Sequence, residues 1–358
     1  MALGRRTVGP ERTGVGGTAV SAGDRAGLRC LQGIGRDYDV RMGDGRVPEG
    51  CAGRVGGADP DGRAAAAILV RLDELEPFSA RDPAGEDIEP GSPLALMDRH
   101  FAASRSVSSL LRQSLAAAMD NLQALRRLLF VEDPSGGVFY RLNSHAPYSL
   151  VRTVIECGTT VLWALQPEEG RERIRRSLVL VARDVFNAAS FWDAYLEELH
   201  PDLHPDAQAS FEGLRHEVNE AARAAGLPPI FTKKAEGRWG YATKNRTQTA
   251  ILKDLRADGG VPAELIYIWQ FCSGYSHGLE WATGKPGSYP GPFSTRGGEL
   301  RRPSTEYGRP SSERAGSSAE HGTAGGMEQL RRASDAACDL IPRAWGLYDL
   351  RRRVWPLL

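Results

Sequence analysis

The arrangement of apolar side chains along the chain predicts a mostly helical protein. In several long segments these side chains recur at alternating steps of three and four, the spacing produced by one face of an α-helix. The most regular series lies within 168–199 and consists of Ile174, Leu178, Val181, Val185, Ala188, Trp192, Tyr195 and Leu199. Such a stripe favours neighbouring helices that pack at shallow angles, as they do in bundles.

The same spacing predicts an all-α fold built as an up-and-down bundle of about five to six helices. We expect a short helix and a proline-rich connector at 63–92, and a helical bundle domain at 93–282. A C-terminal helix within 327–358 is expected to pack on that bundle, with a kink or interruption at Pro342. Within these limits the predicted helices are 63–75, 93–130, 147–165, 168–199, 206–225, 247–255, 261–281 and 327–350, with a little extended structure at 138–142.

Two segments have compositions that do not favour a folded core. Residues 1–62 are rich in Gly, Arg and Asp, and residues 283–326 are dense in Gly, Pro, Ser and Arg. Their apolar residues are too sparse to offset the conformational entropy that folding removes. We therefore predict a disordered N-terminal tail and a disordered linker before the last helix.

Composition and charge limit the class of protein without identifying it. The 358 residues contain 45 Lys and Arg against 45 Asp and Glu, so no overall field favours nucleic acid or a membrane surface. The five cysteines are scattered without a CxxC spacing, which favours reduced thiols over a disulfide framework or a zinc ribbon. Neither a secretory signal nor a long apolar run is visible, so we expect a cytoplasmic protein without a membrane span.

The most aromatic segment, 261–281, carries the best candidate for chemistry. It predicts a helix of about 20 residues that is apolar nearly all round, as helices buried in a domain are. Gln270, Ser273 and His277 fall together on its one polar stripe. This stripe is interpreted either as a site or as a satisfied core histidine beside packing glycines.

A second polar pair lies on the predicted helix at 147–165. Arg152 and Glu156 are four residues apart and therefore adjacent on the helix surface. If that edge meets the stripe on 261–281, a buried polar cluster of Arg152, Glu156, Ser273 and His277 results, in which the charges satisfy one another. These four are the candidate catalytic residues. The alternatives are a structural polar cluster or a salt bridge at the rim.

The motif Arg152-x-x-x-Glu156, followed late in the chain by Ser273-x-x-x-His277, resembles a family of uncharacterised bacterial helical proteins that carry this signature. The likeness spans residues 93–281. More remotely, such bundles are similar to the HEPN superfamily of prokaryotic nucleotide-binding and RNA-cleaving domains. The nucleases among them use an Arg and a His separated by four to six residues on one helix, usually in a dimer. No Arg precedes His277 at that spacing, so Arg152 would have to supply the cation.

Two further patterns bear on metal and nucleic-acid binding. His200 and His204 are four residues apart, but prolines interrupt a helix there and no zincin motif follows, so a solvated loop is predicted. The segment 230–258 is basic and contains Trp239 and Tyr241, a composition that suits phosphates and stacked bases. The arginine run at 171–176 is a second basic stretch. Both stretches more often decorate a solvated face.

The sequence thus predicts a non-catalytic interaction or regulatory module with no cofactor and no metal. The sequence does not identify its partner; the candidates are another protein, a second copy of the chain and, less favoured, nucleic acid, and no membrane is expected. The enzyme alternative is an HEPN-like, metal-independent ribonuclease that uses His277 with Arg152. A further alternative is nucleic-acid binding without cleavage, through Lys233, Lys234 and Arg238.

Overall fold

The computed structural model describes residues 50–81, 87–101, 106–134, 136–235, 237–242, 247–283 and 326–354. The predicted linker, apart from its first and last residue, and the first 49 residues of the predicted tail lie outside them. The prediction of disorder up to residue 62 is wrong for its last part, because residues 53–54 form a strand and a helix begins at Pro60. Asp59 caps that helix by accepting a hydrogen bond from the Gly62 amide at 2.7 Å.

The described residues confirm the all-α class, since strands contribute only small antiparallel pairings. The helices are α1 (Pro60–Glu74), α2 (Glu76–Ser79), α3 (Pro93–Asp98), α4 (Val107–Leu129), α5 (Ala146–Leu165), α6 (Gly170–Leu199), α7 (His204–Ala224), α8 (Gln248–Ala257), α9 (Leu265–Ser276), α10 (Glu280–Thr283) and α11 (Gly326–Arg352). The strands are β1 (Gly53–Arg54), β2 (Phe130–Glu132), β3 (Val138–Tyr140), β4 (Phe231–Lys233) and β5 (Trp239–Tyr241). They pair as β1-β3-β2 and as β4-β5.

Helix α5 lies at the centre of the bundle and is covered on nearly every side. It packs against α4 and α11, against α9 and α8, and against the start of α6. Its buried side chains therefore point in several directions, and Val151, Ile155 and Trp163 have no exposed surface. The Trp163 indole Nε1 donates to Asp254 Oδ2 on α8 at 3.1 Å, so its polar atom is satisfied inside the core.

One predicted helix is divided in the structure, and the last helix lacks the interruption that was one alternative at Pro342. The helix expected at 93–130 is divided into α3 and α4, because the Ser106 hydroxyl caps α4 by accepting from the Ser109 amide at 3.2 Å. Conversely, α11 runs through Pro342 without interruption.

None of the described helices combines the length and apolar character that crossing a bilayer requires.

Helix α6 begins in a network of arginines that ties it to the bundle. Glu172 accepts from Arg175 and Arg176, and Arg176 also donates to the Trp163 carbonyl at 3.0 Å and to Asp258 at 2.8 Å. The hydrogen bonds from Arg175 and then Arg176 lower the pKa of Glu172 to about 2. After this first turn, Leu178 and Val185 of the apolar stripe are buried in the core.

The close contact between α5 and α11 depends on the missing side chain at Gly158. A Cβ added there would lie 3.0 Å from the Leu340 Cβ, closer than packed side chains normally come. We expect Gly158→Val to lower the free energy of unfolding by about 1–3 kcal/mol through overpacking. Gly213→Ala, in the open interior of α7, is the matched control and should raise it by about 0.5–1 kcal/mol. Urea unfolding measures both changes. An unchanged free energy of unfolding in Gly158→Val would contradict this packing.

The depressed pKa of Glu172 predicts a specific dependence of stability on pH. A carboxyl whose pKa is lower in the folded state stabilises the fold above its ordinary pKa, and that contribution disappears as pH falls through the folded value. The difference in unfolding free energy between the wild type and Glu172→Gln should therefore be constant above about pH 5. It should shrink as pH falls from about 4.5 towards about 2. A difference independent of pH over that interval, measured by chemical denaturation, would argue against the ion pairs.

Candidate functional site

Helix α9 ends at Ser276, five residues before the predicted end at 281. His277 occupies the C-cap, and Gly278 follows with a φ of +62°, a conformation that glycine adopts without strain. The Leu279 amide donates to the Gly274 carbonyl at 2.9 Å and the Gly278 amide to the Tyr275 carbonyl at 3.0 Å. This pair of hydrogen bonds is a Schellman motif, and it places His277 on a turn rather than within a helix.

The chain then folds back so that α10 packs on the end of α9. A Cβ added at Gly274 would lie 2.7 Å from both the Ala282 Cβ and the Trp281 ring. Gly274 is thus the packing glycine, while Gly278 serves the turn. The two glycines have different roles, although they are four residues apart.

The structure brings Arg152, Glu156 and His277 together at the edge between α5 and α9. Glu156 Oε1 accepts from Arg152 Nε at 2.9 Å and from Trp269 Nε1 at 2.9 Å. Arg152 Nη1 lies 3.2 Å from His277 Nε2. Because a guanidinium only donates, His277 accepts through Nε2 and carries its proton on Nδ1 in this arrangement.

An aromatic seam between α5 and α9 positions this cluster. The Tyr148 and Tyr275 rings stack with their centroids 4.1 Å apart, and Tyr148 meets the edge of Phe271 at 5.6 Å. Tyr148 is buried, so the seam fixes the two helices against each other one turn from Arg152. The sequence motif marked Arg152, Glu156 and His277, but not Trp269.

The cluster lies at the surface, so the hypothesis of a buried cluster is wrong. His277 is exposed, and the side chains of Arg152 and Glu156 retain 26% and 32% of their accessible surface. Ser273 is half-buried, and its backbone carbonyl accepts the His277 amide at 3.1 Å. The reason is the early end of α9, which moves His277 off the helix face that enters the bundle.

Neighbouring thiols do not supply a nucleophile. Burial raises the pKa of Cys157 to about 11 and that of Cys272 to about 12, so both stay protonated at neutral pH. Arg183, on α6, is half-buried, and burial lowers its pKa while Tyr241 and Glu156 act in the opposite direction. The cluster therefore offers one imidazole beside an arginine that a carboxylate already neutralises.

The histidines considered for a metal have other contacts. His204 Nε2 lies 2.7 Å from Asp193 Oδ1, His200 lies 5.7 Å from the Tyr195 ring, and His216 lies 5.0 Å from the Trp239 ring. Within the described ranges, no three His, Cys, Asp or Glu side chains form a group suited to a metal ion. His204 opens α7, with Pro205 in the first turn, where a missing amide proton is tolerated. The solvated loop predicted around these histidines is therefore replaced at His204 by a helix start.

The two basic stretches are tied into the protein. Trp239 Nε1 and Lys233 Nζ both donate to Glu212 on α7, at 3.2 and 3.0 Å. In the arginine run, Arg171 donates to the Gly226 carbonyl and Arg173 to the Pro167 and Glu168 carbonyls. Lys233, Lys234 and Arg238 are nevertheless exposed, so the predicted basic segment lies at the surface with part of its charge paired.

The outer end of the α6–α7 hairpin presents an apolar surface, and three of its residues, Trp192, Tyr195 and Leu199, belong to the stripe predicted within 168–199. Five large side chains are exposed there, from 38% to 61% of their accessible area: Phe191, Trp192, Tyr195, Leu199 and Leu203. We call these five residues the hairpin-tip surface. The Phe191, Trp192 and Tyr195 rings contact one another, with centroids 5.4–6.0 Å apart. They form a preorganised aromatic group, not scattered exposed residues.

Acidic residues border the hairpin-tip surface. Between Arg183 and Arg215 the chain contains no Lys or Arg, but it contains Asp184, Asp193, Glu197, Glu198, Asp202, Asp206 and Glu212. Glu197, Glu198 and Asp202 are exposed, and Glu198 and Asp202 are the ones next to Leu199 and Leu203. This change in local charge was visible in the sequence, and it distinguishes the outer half of α6 from the basic inner half.

The chain matches none of the protein-family models, curated proteins or solved structures with which it was compared.

The geometry of the polar cluster predicts that Glu156 organises it and His277 does not. Glu156→Ala removes the acceptor shared by Arg152 and Trp269, so we expect it to lower the free energy of unfolding by about 1 kcal/mol or more. His277→Ala removes one exposed contact and should cost about 0.5 kcal/mol or less. Chemical denaturation of the two variants checks the order, and a larger loss in His277→Ala would show that the histidine holds the cluster.

Proposed function

We propose that this protein is a non-catalytic interaction module that binds another protein through the hairpin-tip surface. The observation that carries the proposal is the exposure of Trp192, Tyr195 and Leu199, which continue the core stripe of α6 into solvent. Large apolar side chains in contact with water raise the free energy of the isolated chain, and a binding partner that covers them lowers it.

The size of the surface suits an interface. At roughly 200 Å² per large side chain, about half of it exposed, five such residues present on the order of 500 Å² of mainly apolar area. The apolar core of a standard interface, which buries about 800 Å² on each partner, is of comparable extent. Aromatic residues are also the types that contribute most binding energy at interface centres.

The polar cluster supports a non-catalytic role. Arg152 is paired with Glu156, and a phosphate approaching the arginine would meet the carboxylate as well. The Trp269 indole uses the same carboxylate oxygen. We therefore assign the cluster to fixing the end of α9 against α5.

We place the protein in the cytoplasm, and we assign it to bacteria on the resemblance described above. The scattered cysteines favour a reducing compartment, and Cys51, Cys157, Cys272 and Cys338 are free.

Site-specific photo-crosslinking in cells tests the proposed function. A benzoylphenylalanine in place of Tyr195 should cross-link to one reproducible protein that mass spectrometry identifies. Val70, which is 52% exposed on α1, gives the matched control position and should not yield that product. Adding Trp192→Ser should abolish the cross-link. If the same products form from positions 195 and 70, the proposed surface is wrong.

The second candidate function is metal-independent cleavage of RNA, as in the HEPN nucleases. One observation favours it: Arg152 Nη1 and His277 Nε2 lie 3.2 Å apart at an exposed edge. RNA incubated with the purified full chain in EDTA distinguishes the two functions. Our proposal predicts equal, background rates for the wild type and His277→Ala. Cleavage that His277→Ala abolishes without a change in melting temperature would instead establish the ribonuclease.

A further inference from the structure

The spacing of the exposed side chains on α6 indicates the shape of the partner. Val181, Val185, Ala188, Trp192, Tyr195 and Leu199 follow one another at steps of four and three, the repeat by which two helices pack side by side. Val181 and Val185 are buried against the bundle, whereas Trp192, Tyr195 and Leu199 face solvent. The outer half of the stripe thus has the pattern for a helical neighbour, which the described residues do not provide.

The charge around this stripe indicates the chemistry of the partner. The exposed Glu198 is three residues from Tyr195 and therefore flanks the stripe, Asp202 follows in the turn beside Leu203, and no Lys or Arg occurs from residue 184 to 214. A helix that covers the stripe would set its flanking residues against these acids. Basic flanks gain attraction and speed up association, whereas acidic flanks are repelled.

The same charges disfavour a second copy of the chain as the occupant. In a symmetric dimer through this surface, Glu198 and Asp202 of one copy would face the equivalent acidic border of the other. Like charges brought together in a partly desolvated interface are unfavourable. The acidic border likewise disfavours an anionic membrane.

From this stripe and its border we infer that the hairpin-tip surface binds a basic amphipathic α-helix of another protein. The apolar stripe of that helix packs on Trp192, Tyr195 and Leu199, and its Lys or Arg residues face Glu198 and Asp202. This inference rests on the proposed function, because it names the chemical class of the partner that the same surface binds.

Three synthetic peptides test the class of partner by calorimetric titration into the purified full chain. The first has a leucine stripe flanked by lysines, the second the same stripe flanked by glutamates, and the third the first composition in scrambled order. We expect the lysine-flanked helix to bind at least about tenfold more tightly than either of the others. Its affinity should fall as salt rises. Equal binding of the glutamate-flanked helix would overturn the charge assignment, and equal binding of the scrambled peptide would overturn the helical one.

Variants of the full chain locate the binding. Replacing both Trp192 and Leu199 by Ser should lower the affinity for the lysine-flanked peptide about tenfold or more, because apolar anchors dominate such interfaces. These side chains are exposed, so the melting temperature should stay close to that of the wild type, which keeps the test interpretable. Val70→Ser is the matched control and should bind like the wild type. Glu198→Lys with Asp202→Lys should weaken binding of the lysine-flanked peptide and strengthen binding of the glutamate-flanked one. Unchanged affinity in the Trp192 and Leu199 variant would overturn the location.

The failures of the two proposals are distinguishable. A protein cross-linked from position 195, together with no binding of the lysine-flanked peptide, overturns the basic helix and leaves the interaction module standing. If position 195 gives no specific cross-link and the peptide does not bind, both are wrong. Sedimentation that shows a concentration-dependent dimer, abolished by Trp192→Ser, would identify a second copy of the chain as the occupant and overturn the inference.

Discussion

The architecture depends on the burial of α5 from nearly all directions. A helix that is covered all round gains the hydrophobic contribution of its whole circumference, and it obliges every neighbour to pack against it. The missing side chain at Gly158 admits α11, and the Trp163 indole finds its acceptor on α8. Tyr148 stacks on Tyr275 of α9. The outer helices are therefore positioned by contacts with one central element.

The central position of α5 separates two kinds of surface feature: polar groups that are paired with one another, and apolar side chains that remain exposed. At the edge between α5 and α9, Arg152, Glu156 and Trp269 use their polar atoms on one another, and His277 completes the contact from the turn after α9. At the outer end of α6 the situation differs. Beyond the buried half of the helix, its apolar stripe is exposed among the described residues, while its border becomes acidic. An open apolar face with a charged border is the physical basis of the proposed interaction.

Much of the fold could be predicted from periodicity, because long amphipathic segments such as α5, α6 and α7 fix both helix type and approximate ends. Of the four residues in the predicted cluster, Arg152 contacts both Glu156 and His277, whereas Ser273 contributes its backbone carbonyl to the His277 amide. Burial could not be predicted. Spacing is the same for a side chain that packs inside the bundle and for one that packs on a partner, so Val185 and Tyr195 look alike in the sequence. The end of α9 was missed because Gly278 was interpreted as a packing residue rather than as the left-handed position of a Schellman motif.

The central claim is that α6 is one helix with two environments, an inner half fixed in the core and an outer half open to a partner. Hydrogen–deuterium exchange of the full chain alone, resolved along α6, measures this directly. The account predicts slow exchange at residues 178–185, close to the rate set by global unfolding, and much faster exchange at residues 191–199 through local opening. Equal, strong protection of both halves in the monomeric protein would show that the hairpin tip is already covered, and it would contradict the account.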